Sequence, residues 1–289
     1  MSAPATSWHV DDAEIDLGAG ALVGVLNVTP DSFSDGGDYL QPTTAVARGI
    51  EMVDEGAALI DVGGESTRPG AQPVDEPEEM RRLLPVVEDL VAEGVRVSVD
   101  TYKPGVARAA LAAGAHVVND VTGYTDPDMI GVVAASGCGV VAMHMRGTPA
   151  DMHRDPRYQD VVAEVEEFLL TAAMRLEAAG VDRRRIAIDP GIGFAKRAEH
   201  SLTLLSQLER LSGHGYPVMI GTSRKGFLGS LVAGDTRESR DRATAVTTAL
   251  GFAAGARLFR VHDVAGSRDA LVVAAAIVAN QRWDAWLQG

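Results

Sequence analysis

The chain has one cysteine in 289 residues, Cys138. An internal disulfide and a cysteine-rich metal site are therefore excluded. Cys138 lies between Gly137 and Gly139 ahead of an apolar run, the setting of a small core residue. Positive charge is also scarce: 26 Lys and Arg against 40 Asp and Glu leave a net charge of −14. That balance excludes nucleic acid or an anionic membrane surface as the main partner. It also constrains anionic ligands. Any phosphate site has to be built locally from clustered Arg and Lys, within a Debye length of about 8 Å. No apolar run approaches the roughly 20 residues of a membrane span. The first residues show no basic segment followed by an apolar core, so no signal peptide is expected. The expectation is a soluble, cytoplasmic protein.

What the chain does have is a repeated unit. Eight apolar runs of strand length occupy residues 21–26, 58–62, 95–99, 115–118, 139–143, 185–188, 218–220 and 257–259. They are continuous rather than alternating, as strands buried on both faces of a parallel sheet require. Stretches with helical spacing lie between them. Met80, Leu83, Leu84, Val87, Leu90 and Val91 form one stripe, entered by Asp75, Pro77 and Glu78 in the pattern of a capping box and closed by Gly94. Pro85 inside it predicts a kink or a break. Val161, Val165, Phe168, Leu169, Ala172 and Leu176 form a second stripe, stopped at Gly180. Leu202, Leu205, Leu208 and Leu211 form a third, and residues 244–256 and 269–277 supply two more helices. The composition never shifts and no linker interrupts the repeat. With apolar residues at 46%, a large core is available. The fold expected is α/β, a single (β/α)8 TIM barrel over residues 21–289, a size usual for that architecture. Residues 1–20 form a short N-terminal arm with a small hairpin around residues 18–20. A doubly wound open sheet is the alternative, but the Gly-rich fingerprint it needs after the first strand is missing.

The first run ends in Asn27, Asp31, Phe33 and Asp35 and closes on Gly36 and Gly37. Such a segment packs no core and reads as a mobile lid over a polar site; a hairpin turn is the alternative. In a barrel the site lies at the C-terminal ends of the strands. Those ends carry Asn27, a 63–70 loop with Thr67, Arg68 and Pro69, then Asp100, Asn119, His144, Asp189, Ser223 with Lys225, and Arg260 with His262. Asp100, Asn119, Asp189 and Lys225 suit a flat heterocycle with N–H donors and a ring carbonyl. Hydrogen bonds to charged groups contribute about 1.5–3 kcal/mol each. A purely structural Asp–Lys pair is the alternative reading. Arg68, Arg260 and His262 suit phosphate, and Asn27 offers one hard oxygen to Mg2+, which takes most of its ligands from phosphate and water. His144 is read as support for the barrel rim and His116 as structural.

These strand-end motifs resemble, in order and from about Val23 to Val264, those of the dihydropteroate synthase family. The 27–37 segment and the 64–70 loop are highly specific together. The resemblance implies a transferase of folate synthesis that joins 4-aminobenzoate to 6-hydroxymethyl-7,8-dihydropterin diphosphate and releases pyrophosphate. It implies pterin contacts from Asp100, Asn119, Met143, Asp189, Ser223 and Lys225, and diphosphate contacts from Thr67, Arg68, Arg260 and His262. It implies Mg2+ on Asn27 and an aminobenzoate pocket walled by Phe33, Pro69, Phe194 and Lys225, where sulfonamides would also bind. Asp35 would face the cation-like carbon, and the chain would be a homodimer, with residues 247–255 a possible helix contact. Ala195 and Gly226 depart from residues common in the family. A pterin-binding methyltransferase and a non-catalytic pterin binder are the rivals; neither needs the full Arg260–His262 and lid set.

Overall fold

The structure, a computed structural model, describes residues 3–29, 42–66, 73–147, 152 and 156–278. It opens with an antiparallel hairpin, β1 (Ser7–Val10) and β2 (Ala13–Asp16). The chain reverses at Asp11, in the left-handed region with φ 51°, and Asp12. The turn is therefore earlier than residues 18–20. There the chain bends into the barrel instead, with Gly20 at φ 78°. A side chain on Gly20 would come within 3.0–3.2 Å of Leu271, Phe259 and Phe252.

Eight parallel strands follow: β3 (Ala21–Asn27), β4 (Ala57–Gly63), β5 (Val97–Asp100), β6 (Val117–Asp120), β7 (Gly139–Met143), β8 (Ile186–Asp189), β9 (Met219–Ile220) and β10 (Leu258–Val261). Their order is β8-β7-β6-β5-β4-β3-β10-β9. The two end strands meet through a parallel bridge between Ile188 and Val218, and Ile188 N–H donates to the Pro217 carbonyl at 2.9 Å. That contact brings the sheet round into a barrel and removes the open-sheet alternative. All eight expected runs are strands, displaced by at most two residues.

Among the described residues ten α-helices lie between and after the strands: α1 (Pro42–Asp54), α2 (Glu76–Ala92), α3 (Pro104–Ala112), α4 (Pro127–Ala134), α5 (Val161–Ala178), α6 (Ala198–Ser206), α7 (Leu208–Ser212), α8 (Gly226–Gly229), α9 (Arg237–Ala253) and α10 (Val264–Val278). Asp75 caps α2 by accepting the Glu78 N–H at 3.0 Å. Glu78 does not complete the box; its carboxylate holds Arg81 and Arg82. The expected break at Pro85 is absent, since α2 runs on to Ala92. Leu83, Val86, Val87 and Leu90 bury that face in the core, which outweighs one lost backbone bond. The leucine stripe after β8 is not one helix. It divides at Gln207 into α6 and α7, and Leu204, Leu208 and Leu211 take the buried positions while Leu202 is exposed.

The hairpin closes the N-terminal end of the barrel. Trp8, Val10, Ile15 and Leu17 pack with Val23, Leu59, Val117, Val141, Ala187, Met219 and Leu258, one residue from nearly every strand. Trp8 is fully buried and its indole N–H donates to the Arg185 carbonyl at 2.8 Å. The arm is thus part of the core. Trp8→Ala should cost about 3–5 kcal/mol in urea unfolding, through the cavity and the lost bond. A loss under about 1 kcal/mol would show that the hairpin is only a cover.

Candidate active site

A polar layer rests on this apolar floor. Strand register aligns Asn27 with Gly63, Gly63 with Asp100, and Asp100 with Asn119. Met143 aligns with Asp189 on the other side. One row across adjacent strands therefore carries an amide, a gap, a carboxylate and a second amide. Gly63 is the gap: a Cβ there would sit 3.6 Å from Asn27 Oδ1 and 3.6 Å from Asp100 Cβ.

Asn27, Asp100, Asn119, Met143, Asp189, Phe194, Ser223, Lys225, Arg260 and His262 all line one cavity of about 1280 Å³. These are ten of the fifteen site residues expected from sequence. Phe33, Asp35, Thr67, Arg68 and Pro69 lie outside the described residues.

The two groups inferred from sequence are not separate in space. Arg260 donates from Nε to Asp61 at 2.6 Å and from Nη2 to Asp100 at 2.7 Å. Asp61 was hidden in its apolar run, where it counted only as part of a strand. It is fully buried, and it also accepts from Ser98 Oγ at 2.6 Å and from Asn119 Nδ2 at 3.2 Å. A lone carboxylate inside a buried strand was the available signal, because such a group needs a partner. Asp61 fixes both Arg260 and Asn119 from below.

Electrostatics follow from burial. Desolvation pushes the Asp100 carboxyl up to about 7; Arg260 opposes this and Asp61 adds to it. Burial lifts Asp189 to about 6, against the Gly191 N–H, which donates to Oδ1 at 2.7 Å, and against Lys225. Burial pulls Lys225 down to about 8, and Arg260 repels it further. Burial also works against charge on Arg260, but Asp61 and Asp100 outweigh it and hold the guanidinium firmly protonated. Among the described residues the cavity lining carries Lys196, Arg224, Lys225, Arg237, Arg240 and Arg260 against Asp100, Asp189 and Asp235. An anionic ligand meets this local excess of positive charge rather than the chain's −14 average.

The loop after β9 explains the Ser-Arg-Lys spacing. Arg224 sits at φ 57° and grips Asp241 on α9 at 2.7 and 2.9 Å while also lining the cavity. Ser223 and Lys225 line the cavity. Ser223 Oγ meets His262 Nδ1 at 2.8 Å and accepts the His262 backbone N–H at 3.1 Å. Lys225 Nζ lies 3.9 Å over the Phe194 ring. Ala195 sits at φ 48°, a conformation that costs a residue with a Cβ about 1–2 kcal/mol.

Two further expectations are settled here. His116 is structural, its Nδ1 accepting the Val97 N–H at 3.2 Å. His144 supports the barrel mouth from within. It is buried against Phe168 and bonded to Lys196, a cavity residue that the sequence reading did not single out. Among the described residues no group of three or more His, Cys, Asp or Glu is placed to hold a metal. One amide oxygen from Asn27 fits Mg2+ that arrives with phosphate and water as its other ligands.

A closed (β/α)8 barrel whose C-terminal mouth gathers buried acceptors, a lysine and a carboxylate-held arginine is the class of enzyme that binds a flat polar heterocycle. Residues 23–262 match the family profile described as pterin binding enzyme. The chain is 50% identical over 262 residues to the dihydropteroate synthase of Mycobacterium leprae, covering 88% of this chain and 92% of that protein. Dihydropteroate synthase of Xanthomonas albilineans with 4-aminobenzoic acid superposes with a TM-score of 0.89 at 45% identity, covering 95% of this chain and 99% of that one. The same enzyme in complex with 7,8-dihydropteroate gives 0.85 at 42%, covering 94% and 99%. The chain belongs to the pterin-binding enzymes, and within them to the dihydropteroate synthase family.

Proposed function

We propose that this chain condenses 6-hydroxymethyl-7,8-dihydropterin diphosphate with 4-aminobenzoate and releases pyrophosphate. The observation that carries the reading is the convergence of Asp100, Asn119, Asp189, Lys225, Arg260 and His262 on one cavity. The 4-aminobenzoic acid and 7,8-dihydropteroate held by solved relatives support the same substrate and product. A methyltransferase would have no use for a cation set at the diphosphate end.

In this reading Asp189 accepts N–H bonds from the pterin edge through its second oxygen, the first being held by Gly191. Asn119 and Asp100 complete the edge, with Met143 lining the pocket, and Lys225 donates to the ring carbonyl. Arg260 has five N–H donors; two go to Asp61 and Asp100, which aim its plane at the pterin and the diphosphate. Ser223 steadies His262 beside it. Asn27 would hold Mg2+, which would supply positive charge against the departing diphosphate. By the family resemblance Arg68 would add positive charge there and Thr67 a hydrogen bond, and Asp35 would act at the cation-like methylene carbon. Phe33, Pro69, Phe194 and Lys225 wall the aminobenzoate, or a sulfonamide in its place. The aryl amine is neutral at pH 7 and attacks without a strong base, so no Ser–His or Cys–His pair is needed.

The test is to mix the protein with both substrates and Mg2+ and follow pyrophosphate. Release only at background, with pterin binding intact, overturns the reading in favour of a non-catalytic binder. Pterin affinity should also depend on pH with a definite sign. Asp189 accepts N–H bonds as a carboxylate and loses an acceptor when protonated. Affinity should therefore rise as pH increases through about 6 and on through about 7, where Asp100 gains its charge, by at most about tenfold per unit for each group. Titration calorimetry from about pH 5 to pH 8 reads it; a flat or inverted profile contradicts Asp189 as the acceptor.

We also assign a homodimer and a cytoplasmic location. Val246 and Leu250 on α9, with Val272, Val273, Ile277 and Val278 on α10, leave an apolar stripe exposed, up to 73% at Ile277. Such stripes mark interfaces. Leu250→Glu with Ile277→Glu should convert dimer to monomer in sedimentation velocity; an unchanged sedimentation coefficient removes this face from the interface. Among the described residues no helix is long and apolar enough to cross a membrane.

A further inference from the structure

Lys196 is 5% exposed and lines the cavity, yet no step above uses it. Its ammonium has three neighbours: His144 Nδ1 at 2.9 Å, the Phe194 carbonyl at 3.0 Å and the His144 carbonyl at 3.3 Å. An ammonium has three N–H bonds, one for each. Burying a cation costs several kcal/mol unless its bonds are good, and burial does pull this amine's pKa well down. A lysine kept in such a place joins parts that would otherwise separate.

Those parts are identifiable. The turn after β8 has Gly191, Gly193 and Ala195 at φ 64°, 82° and 48°. Three left-handed residues in five make no ladder, and inside the turn Phe194 N–H reaches the Gly191 carbonyl at 3.0 Å. Tyr158 Oη donates to the Ala195 carbonyl at 3.0 Å. Lys196 ties the turn to the neighbouring strand end, at His144. His144 is itself fixed, its backbone N–H on the Asp189 carbonyl at 3.0 Å and its ring edge-on to Phe168 at 4.9 Å. The chain of contact therefore runs from Phe168 through His144 and Lys196 to the Phe194 backbone. From there it passes through the Phe194 ring to Lys225, 3.9 Å away.

We propose that Lys196 is a positioning residue for the second substrate: it holds the Phe194 face, and with it Lys225, at the angle that stacks an aryl carboxylate. This rests on the reading that Phe194 and Lys225 wall the aminobenzoate pocket. The pterin edge is held chiefly by Asp189, Asn119 and Asp100, whose placement depends on their own strands, and it shares only the Lys225 donor with the aryl pocket. The two substrates should respond differently when the amine is removed.

Lys196→Met keeps length and bulk and removes every N–H. The expected result is a KM for 4-aminobenzoate raised at least tenfold, with kcat at saturation and the calorimetric Kd for pterin each within threefold. A KM within twofold of wild type overturns the role, and equal losses for both substrates reduce it to a structural one and overturn it as well. If the variant fails to fold in a thermal melt, His144→Phe takes its place. That change keeps the ring against Phe168 and removes one acceptor of the amine. It should raise the same KM about threefold, and an unchanged KM overturns the proposal. A wild-type protein that releases no pyrophosphate sinks the functional reading itself. Lys196 is then judged by direct calorimetry of 4-aminobenzoate with pterin and pyrophosphate present: weaker binding in the variant supports it, and equal binding overturns it.

Discussion

Asp189→Asn should abolish pterin binding. Oδ1 is already committed to the Gly191 N–H at 2.7 Å, so the second oxygen is the one a ligand meets. Gly191 cannot move to suit a new partner: at φ 64° its Cα faces the His144 carbonyl, and a Cβ there would stand 2.0 Å from that oxygen. The introduced amide must therefore keep its oxygen toward Gly191 and turn its NH2 toward the pterin's own N–H donors. A charged acceptor is lost and donor faces donor. Each charge-assisted bond is worth about 1.5–3 kcal/mol, and an unpaired buried donor adds a similar cost. The sum, about 3–5 kcal/mol, is a loss of more than about 100-fold. Titration calorimetry with the dihydropterin measures it, with circular dichroism to show the barrel intact. A Kd within threefold of wild type would remove Asp189 from the pterin edge.

Arg260→Met should produce the second large effect, on turnover and on stability together. Asp61 is fully buried and Asp100 nearly so, and Arg260 bonds to both. Removing the cation leaves two carboxylates side by side with only the more distant charge of Lys225 to offset Asp100. Breaking a buried pair from one side typically costs 3–5 kcal/mol. The protein has one escape, which is to protonate Asp100, already pushed up to about 7 by burial. Without Arg260 the folded carboxyl binds its proton more tightly still, while the unfolded one keeps its ordinary value near 4. Between those values the folded state holds more protons than the unfolded state, so stability falls as pH rises. The deficit against wild type should be larger at about pH 8 than at about pH 5.5. Urea unfolding at both values decides it. A deficit below about 1 kcal/mol at the higher pH, or one independent of pH, means that Arg260 does not neutralise this pair. Pyrophosphate release should drop in parallel, since the same guanidinium serves the diphosphate.

Arg260 also shows where reading residues along the chain stops. The sequence placed it at a strand end beside His262, and phosphate chemistry followed from its fork geometry. Nothing in that reading set it on Asp61, which lies 199 positions away inside an apparently apolar strand. Lys196 was missed for the opposite reason. It lies beyond a strand end in a polar stretch, where a lysine normally points to solvent, and only the packing of Phe168 and His144 turns it inward. Pro85 and the leucine stripe near Gln207 show the same limit at the level of helices. Local rules weigh one lost backbone bond or one periodic spacing, whereas the face buried against the barrel decides whether a helix continues.

The parallel barrel, the placement of strands within two residues and the list of polar side chains at one mouth were determined by the sequence alone. Each of these follows from a short-range signal: apolar runs buried on both faces, caps and glycines at helix ends, and a polar residue where each strand stops. Tertiary structure alone decided which of those groups share charge, that the N-terminal hairpin is the floor of the core, and that Asp61 and Lys196 belong to the site. Those outcomes depend on strand register and barrel closure, which bring together residues far apart in the chain and bury them where an unpaired charge is too costly to keep.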